Sequence, residues 1–452
     1  MIFALAALPV AVAMLAQTPA GGVPDGFTFA ASGDLILPKP FDLTKNAELA
    51  RVAALFQHAD LGFANQEGAI FDVAGFQGSH AAENGGGTPV SPPQMARSLR
   101  SMGFTIVSKA NNHATDWGRE GLLATLASLE AAGIVQAGAG KGLAEARAPG
   151  YVETRHGMAA LVSTASTFPP MSVAGPPVEN GGVKLTSRPG ISALHVRLVR
   201  LVSREDYAAL CRAAGAAAYP TAERDDQVRI GDVLFRRSES SGLTWEMLQV
   251  DETALLDSVR EARRKASFVL FAIHAHQTDG DKDDGPGPWQ PEVLHFANEA
   301  AAPNEPRPAD FEPALFHAVI DAGADAVVRT GPHVLNGIEI YKGKPIFYSL
   351  GSLFFPFGQR RSFTTAAGET LTFSDENFET VIPVTTYRAG KMAEIRLYPA
   401  VIHTEAGPTS GAPMLAPPER GRRILERMRA MSAPFGTDLQ IEDGIGVIRP
   451  TR

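Results

Sequence analysis

Two rhythms of apolar and polar positions alternate along the chain. Short apolar runs predict strands, and apolar residues three or four apart predict helices. Residues 27–30 predict a strand that ends at Gly33-Asp34. Asn46 stands where it can cap a helix whose apolar face is Leu49, Val52, Ala53 and Phe56. Residues 61–64 predict a strand running into Asn65-Gln66-Glu67. Met95, Leu99 and Met102 mark a helix that stops at Gly103. The strand at 104–107 leads to Asn111-Asn112-His113, and Leu122, Leu126 and Leu129 mark the next helix. The second half repeats the plan. Asp251 and Asp310 stand where they can cap helices, and strands at 268–273 and 326–328 run into His274-Ala275-His276 and Gly331-Pro332-His333. Residues 338–341 and 346–349 flank Lys342-Gly343-Lys344-Pro345, which reads as a hairpin.

Alternating strands and helices imply an α/β fold with a largely parallel sheet. Residues 170–250 are rich in Pro, Gly and Arg with weak periodicity, and read as an insertion with a helix near 203–217. Beyond 360 the pattern turns to strands at 381–387 and 393–398, then a helix near 417–432 carrying Ile424, Leu425 and Met428.

The 452 residues carry a net charge of −8, which argues against a nucleic-acid binder. With 44% hydrophobic and 20% charged residues, the chain can bury a core. The single cysteine, Cys211, excludes an intramolecular disulfide and a thiolate zinc cluster. Residues 2–16 are an uncharged apolar run followed by Gln17-Thr18-Pro19-Ala20. They read as a signal peptide, or an uncleaved anchor, over 1–20, which predicts a secreted or periplasmic protein, membrane-associated if anchored.

Five polar clusters fall just after predicted strands: Asp34, Glu67, Asn112-His113, His274/His276 and His333. In open α/β sheets ligands bind beyond the carboxyl ends of the strands, so the clusters converge if their strands share one sheet. Carboxylate, amide oxygen and imidazole together suit one or two divalent ions such as zinc, manganese or iron. His113, beside Asn112, is placed to act as a general acid. Asp116 reads equally as a helix cap. Gly138–Gly142 lacks the spacing of a phosphate loop, and 279–290 lacks the glycine and glutamate of a calcium loop; it reads as an acidic loop beside the site. There is no G-x-S-x-G nucleophile elbow.

The run from Ser108 to Leu122, SKANNHATDWGREGL, resembles the NNHxxDxGxxGL motif of the CapA family of poly-gamma-glutamate capsule biosynthesis proteins, within the metallophosphatase superfamily. Gly33-Asp34, Asn65-Gln66-Glu67, Ala137-Gly138-Ala139-Gly140, Arg188-Pro189-Gly190, Gly331-Pro332-His333-Val334 and the run from Gly337 to Gly351 match further blocks. The resemblance covers 26–356, weakly over 200–250. It implies a calcineurin-like αββα sandwich with an inserted segment and, at 360–452, a β-rich C-terminal extension.

Carried over position by position, it implies Asp34, Glu67, Asn112, His274 and His333 as metal ligands and His113 as the catalytic histidine. Asp116 joins the catalytic set, and Asn111 and Arg188 stand on the substrate side. Four departures from the pattern stand out: Ile36 replaces a second ligand, the pair Arg329-Thr330 a Gly-His pair, Gln277 an acidic residue and Ser352 an Asn. His276 is a candidate replacement for the ligand lost at Thr330. The expected function is a metal-dependent hydrolase acting outside the cytoplasm on a phosphoester or a cell-envelope or capsule polymer. The alternatives are a non-catalytic capsule assembly factor with a degenerate site, and a sugar- or peptide-binding module without metal.

Overall fold

A computed structural model of the protein describes residues 22–36, 39–81, 87–221, 224–279, 308–364 and 370–450. The apolar run at 2–16 and nearly all of the acidic loop lie outside the described residues. Among the described residues no helix is long and apolar enough to cross a membrane.

The chain is a mixed α/β protein. Strands β1 (Thr28–Ile36), β2 (Leu61–Glu67), β3 (Ile106–Ser108) and β4 (Val135–Ala137) lie parallel, side by side. Strands β5 (Gly150–Thr154), β6 (Gly157–Ala165), β7 (Phe268–His274), β8 (Ala326–Thr330), β9 (Ile338–Tyr341) and β10 (Lys344–Phe347) form a second sheet, in which β6, β7, β8 and β10 are parallel. The one sheet that the alternation predicts is therefore two.

Their inner faces are both apolar and meet. Phe29, Phe63 and Ile106 on one side pack with Leu161, Phe268, Leu270 and Val328 on the other. Helices Ala47–Gln57 and Gln94–Met102 cover the outer face of the first sheet, setting Val52, Phe56, Met95 and Leu99 against Ala30, Ala64 and Val107. Helices Gln249–Lys265 and Phe311–Ala322 cover the second, setting Leu255, Val259, Leu315 and Phe316 against Val162, Val269 and Phe271. The order of layers is helix, sheet, sheet, helix. Strands buried on both faces read as continuous apolar runs, which is why β7 and β8 show no alternation.

Local signals act partly as expected. The Asn46 side chain accepts from Leu49 N–H at 3.0 Å, a cap worth about 1 kcal/mol. Gly103 ends its helix at φ 101, where a Cβ would stand 2.5 Å from the Gln57 nitrogen. Asp251 and Asp310 do not cap. Asp251 lies inside a helix that starts at Gln249 and accepts from His195 N–H at 3.1 Å and Arg147 at 2.6 Å. Asp310 accepts from Trp245 N–H at 2.9 Å and from the Thr244 hydroxyl at 2.8 Å.

The insertion holds the helix Arg204–Ala214, and also a five-stranded sheet that the pattern hid. Its strand Val196–Val202 reads VRLVRLV, with arginines between its apolar residues and only partial burial. Past 360, β11 (Glu379–Arg388) pairs antiparallel with β1, and β12 (Lys391–Ile402) with β11. Strands β13 (Leu439–Glu442) and β14 (Ile445–Ile448) close that edge. The helix Pro418–Ser432 sets Ile424, Leu425 and Met428 into the core between the sheets. This segment continues the first sheet and is not an extension apart from it.

Candidate metal centre

The carboxyl ends of β1, β2, β7 and β8 meet where the two sheets face each other. Asp34 lies near the end of β1, Glu67 ends β2, His274 ends β7, and His333 follows β8. Asn112 and His113 follow β3. All are at most 2% exposed.

Glu67 is the hub. Its Oε1 stands 3.8 Å from Nε2 of His113 and 3.9 Å from Nε2 of both His274 and His333. These separations exceed hydrogen-bond length. They suit atoms around a shared cation, since two ligands each about 2.1 Å from one ion at tetrahedral angles lie about 3.4 Å apart. Asp34, Glu67 and His333 each offer a ligand atom, all within 4.8 Å of one another. The residues therefore fit a divalent ion.

Each ligand candidate is held in place. Asp34 Oδ1 accepts from Asn65 Nδ2 at 2.7 Å, and Oδ2 from Gly331 N–H at 3.0 Å. Burial pushes the Asp34 carboxyl up, but hydrogen bonds and charge from His274 and His333 prevail and hold it well below the usual carboxylate range. His333 adopts φ 53, a left-handed conformation that costs about 1–3 kcal/mol in a non-glycine residue. Its Nδ1 lies 3.2 Å from Asp34 Oδ2 and 2.8 Å from Ser352 Oγ, and its ring packs on Phe355. His274 Nδ1 lies 3.1 Å from both Asn65 Nδ2 and Thr330 Oγ1. His276 Nε2 lies 3.1 Å from His274 Nε2, although β7 ends at His274.

Asp116 resolves to the site. The helix Gly118–Ala131 starts without a side-chain cap, and Asp116 Oδ2 lies 2.6 Å from His113 Nδ1. This fixes the ring so that Nε2 faces Glu67. Asn111 is fully buried; its amide donates to Asn65 Oδ1 at 3.1 Å and Gln66 O at 3.0 Å, so it braces the ligands. Arg188 is exposed, and its Nε donates to the Val173 carbonyl at 2.9 Å.

The four departures are also located. Thr330 faces inward beside His274. Arg329 points to the other face and forms a buried ion pair with Glu312 at 2.7 Å. Its guanidinium also donates to Gln277 O at 2.8 Å, securing the chain past His276. Gln277 accepts from Ser166 Oγ at 2.7 Å and Thr167 Oγ1 at 3.1 Å. Ser352 meets the His333 ring, as above. Ile36 packs among Phe355, Phe373, Phe378 and Ile402 and has no ligand role.

Sequence reasoning missed Lys109 and Asn65. Lys109 is wholly buried, and its Nζ donates to Gln66 O at 3.2 Å and Gly68 O at 2.5 Å. Burial pushes its ammonium down to about 7, against the pull of Asp116 and Glu67. The available signal was a lysine directly after a buried strand, since lysine is almost never fully buried unless paired.

The sequence profile of a family described as Bacterial capsule synthesis protein PGA_cap matches residues 28–303 and 294–356. Two uncharacterized proteins of Sinorhizobium fredii (strain NBRC 101917 / NGR234), y4sH and y4uA, are each 35% identical to this chain, over 95% of it and 94% of the relative. The PGA biosynthesis protein CapA of Bacillus subtilis (strain 168) is 24% identical, over 58% of this chain and 46% of its own length. A crystal structure of a hypothetical protein from Thermus thermophilus aligns over 82% of this chain and 98% of that chain, at 14% identity and a TM-score of 0.38, too low to bear on the fold. The family profile spans every strand that brings a residue to the cluster around Glu67, and the chain belongs to the bacterial capsule synthesis protein PGA_cap family.

Proposed function

We propose that this protein is a metal-dependent hydrolase of phosphoester or cell-envelope polymer bonds, acting outside the cytoplasm, on a calcineurin-like metallophosphatase sandwich. The observation that carries this reading is the ring of three imidazole Nε2 atoms 3.8–3.9 Å from Glu67 Oε1, with Asp34 in the same cluster. The two facing sheets with helices outside, and the match to capsule synthesis proteins, support it. Asp34, Glu67, His274 and His333, with Asn112 and His276, would hold one or two divalent ions such as zinc, manganese or iron. A bound ion supplies Lewis acidity and an activated water. His113 holds a proton at Nε2 for the leaving group, and Asp116 fixes its tautomer through Nδ1. Asn65 and Gly331 fix the Asp34 carboxylate for binding. The apolar run at 2–16 supports export, or anchoring to a membrane from outside.

The second reading is a non-catalytic capsule assembly factor. It is favoured by Ile36, which the structure buries among phenylalanines, and by Thr330, a hydroxyl where an imidazole is expected.

Metal content by mass spectrometry, with hydrolysis of bis(p-nitrophenyl) phosphate and of γ-linked polyglutamate, tests these readings. One or two transition-metal ions per chain together with either activity supports the hydrolase. Metal without activity on any phosphoester or envelope polymer favours the assembly factor. No metal after reconstitution with zinc, manganese and iron overturns the metal centre.

A further inference from the structure

Lys109 is an ammonium group in a wholly buried position where a methionine would fill similar space at lower cost. Burying a charge is costly unless it is paired and hydrogen-bonded. Its bonds go to two carbonyls, Gln66 O and Gly68 O, on either side of Glu67. The ammonium thus grips the backbone before and after the hub carboxylate. The turn there has little slack: Gly68 adopts φ 94, and a Cβ on it would stand 2.8 Å from the Pro89 carbonyl oxygen.

The grip extends to the other carboxylate. Gln66 O also accepts from Asn111 Nδ2 at 3.0 Å. The same Asn111 amide donates to Asn65 Oδ1 at 3.1 Å, and Asn65 Nδ2 donates to Asp34 Oδ1 at 2.7 Å. A continuous path therefore runs from Lys109 through Gln66 O, Asn111 and Asn65 to Asp34. Each of these residues is at most 1% exposed. Asp116 and Glu67 both pull on the Lys109 ammonium, which lies between carboxylates on two sides of the site.

We propose that Lys109 is a positioning residue of the metal centre, whose ammonium locks Glu67 and Asp34 into one rigid pair of ligands. This rests on the metal-centre reading above. Groups that orient metal ligands from behind typically change affinity about 10–100-fold when removed.

The test is cobalt(II) titration of the metal-free full chain, read by the ligand-field absorption band and by the dissociation constant. Wild type, Lys109→Met and Asn111→Ala are compared, with circular dichroism reporting the fold. Folded Lys109→Met is expected to bind cobalt at least about tenfold more weakly, with an altered band. Asn111→Ala, which removes the bonds to Gln66 O and Asn65 Oδ1 and leaves both Lys109 bonds in place, is expected to weaken binding by a smaller factor. Wild-type affinity and band shape in folded Lys109→Met overturn the proposal while leaving the metal centre intact. If Lys109→Met does not fold, Asn111→Ala decides: weaker binding with a changed band supports the path, and unchanged binding overturns it. Absence of cobalt binding by the wild type overturns the metal centre and this proposal with it.

Discussion

His274 and His276 bring their Nε2 nitrogens to 3.1 Å from each other. Two imidazoles in this arrangement either share a hydrogen or converge on one cation. With Thr330 standing beside His274, His276 is the imidazole placed to complete the ligand set. His276→Ala is expected to weaken zinc or manganese binding at least about tenfold with the fold retained. Isothermal titration of the metal-free protein measures this, and wild-type affinity would remove His276 from the ligand set.

The His113–Asp116 pair separates chemistry from binding. His113→Gln is expected to lower kcat by about 10²–10⁴-fold, the usual contribution of a general acid. Metal content should stay close to wild type. Asp116→Asn should also lower kcat, because an amide replaces the carboxylate that holds the His113 ring at Nδ1. Parallel metal analysis and steady-state kinetics read the two effects apart; loss of metal in His113→Gln would make it a ligand instead.

Much of this site was legible in the sequence. Asp34, Glu67, His274 and His333 each follow a strand visible as an apolar run, and strand ends are where α/β ligands bind. The division into two sheets was implied by the family resemblance but not legible in the apolar pattern, because strands buried on both faces carry no mark of which sheet they join. Asp251 and Asp310 looked like caps because local pattern cannot see His195, Arg147 or Trp245 arriving from elsewhere. Lys109 was hidden for the same reason: its two acceptors lie more than 40 positions away along the chain.

At the opposite end of the strands, Asp60 ties β2 to β1. Its Oδ2 accepts from Thr28 N–H at 2.9 Å and Thr28 Oγ1 at 2.8 Å, and Oδ1 faces Arg155 at 2.8 Å and His156 at 3.0 Å. Burial pushes this carboxyl up, and these partners outweigh it and lower it. A carboxyl lowered on folding stabilises the protein above its unfolded value of about 3.9 and loses that contribution as pH falls through the folded value. Asp60→Asn should therefore cost about 1.5–3 kcal/mol at pH 7, with the gap to wild type closing below about pH 4. Urea midpoints at both pH values check the sign; a gap that widens in acid would refute it.

Gly331 offers a test of backbone geometry. Its φ is 119, and a Cβ there would stand 2.7 Å from the Ala275 carbonyl oxygen. Gly331→Ala is expected to cost about 1–3 kcal/mol and to disturb the N–H donated to Asp34. Thermal unfolding with and without added zinc reads both effects. A variant with unchanged melting temperature in both states would show that the loop relaxes freely.

The pairing of β1 with β11 has a consequence for how the protein is made. The strand that carries Asp34 gains its neighbour on one side from residues 61–67; on the other, residues 352–354 pair with Asp34 and Leu35, and residues 379–388 pair with Thr28–Ala30. During synthesis the first half of β1 is therefore a bare edge on that side until residues 379–388 have emerged, and unpaired edges invite association with other chains. A fragment ending at 356, where the family profile ends, keeps the ligands of the cluster and the strand beside Asp34, and lacks the strand beside Thr28–Ala30. The site's own strands are thus complete by the end of the stretch that defines the family, while closure of the sheet's far end is postponed to the last fifth of translation.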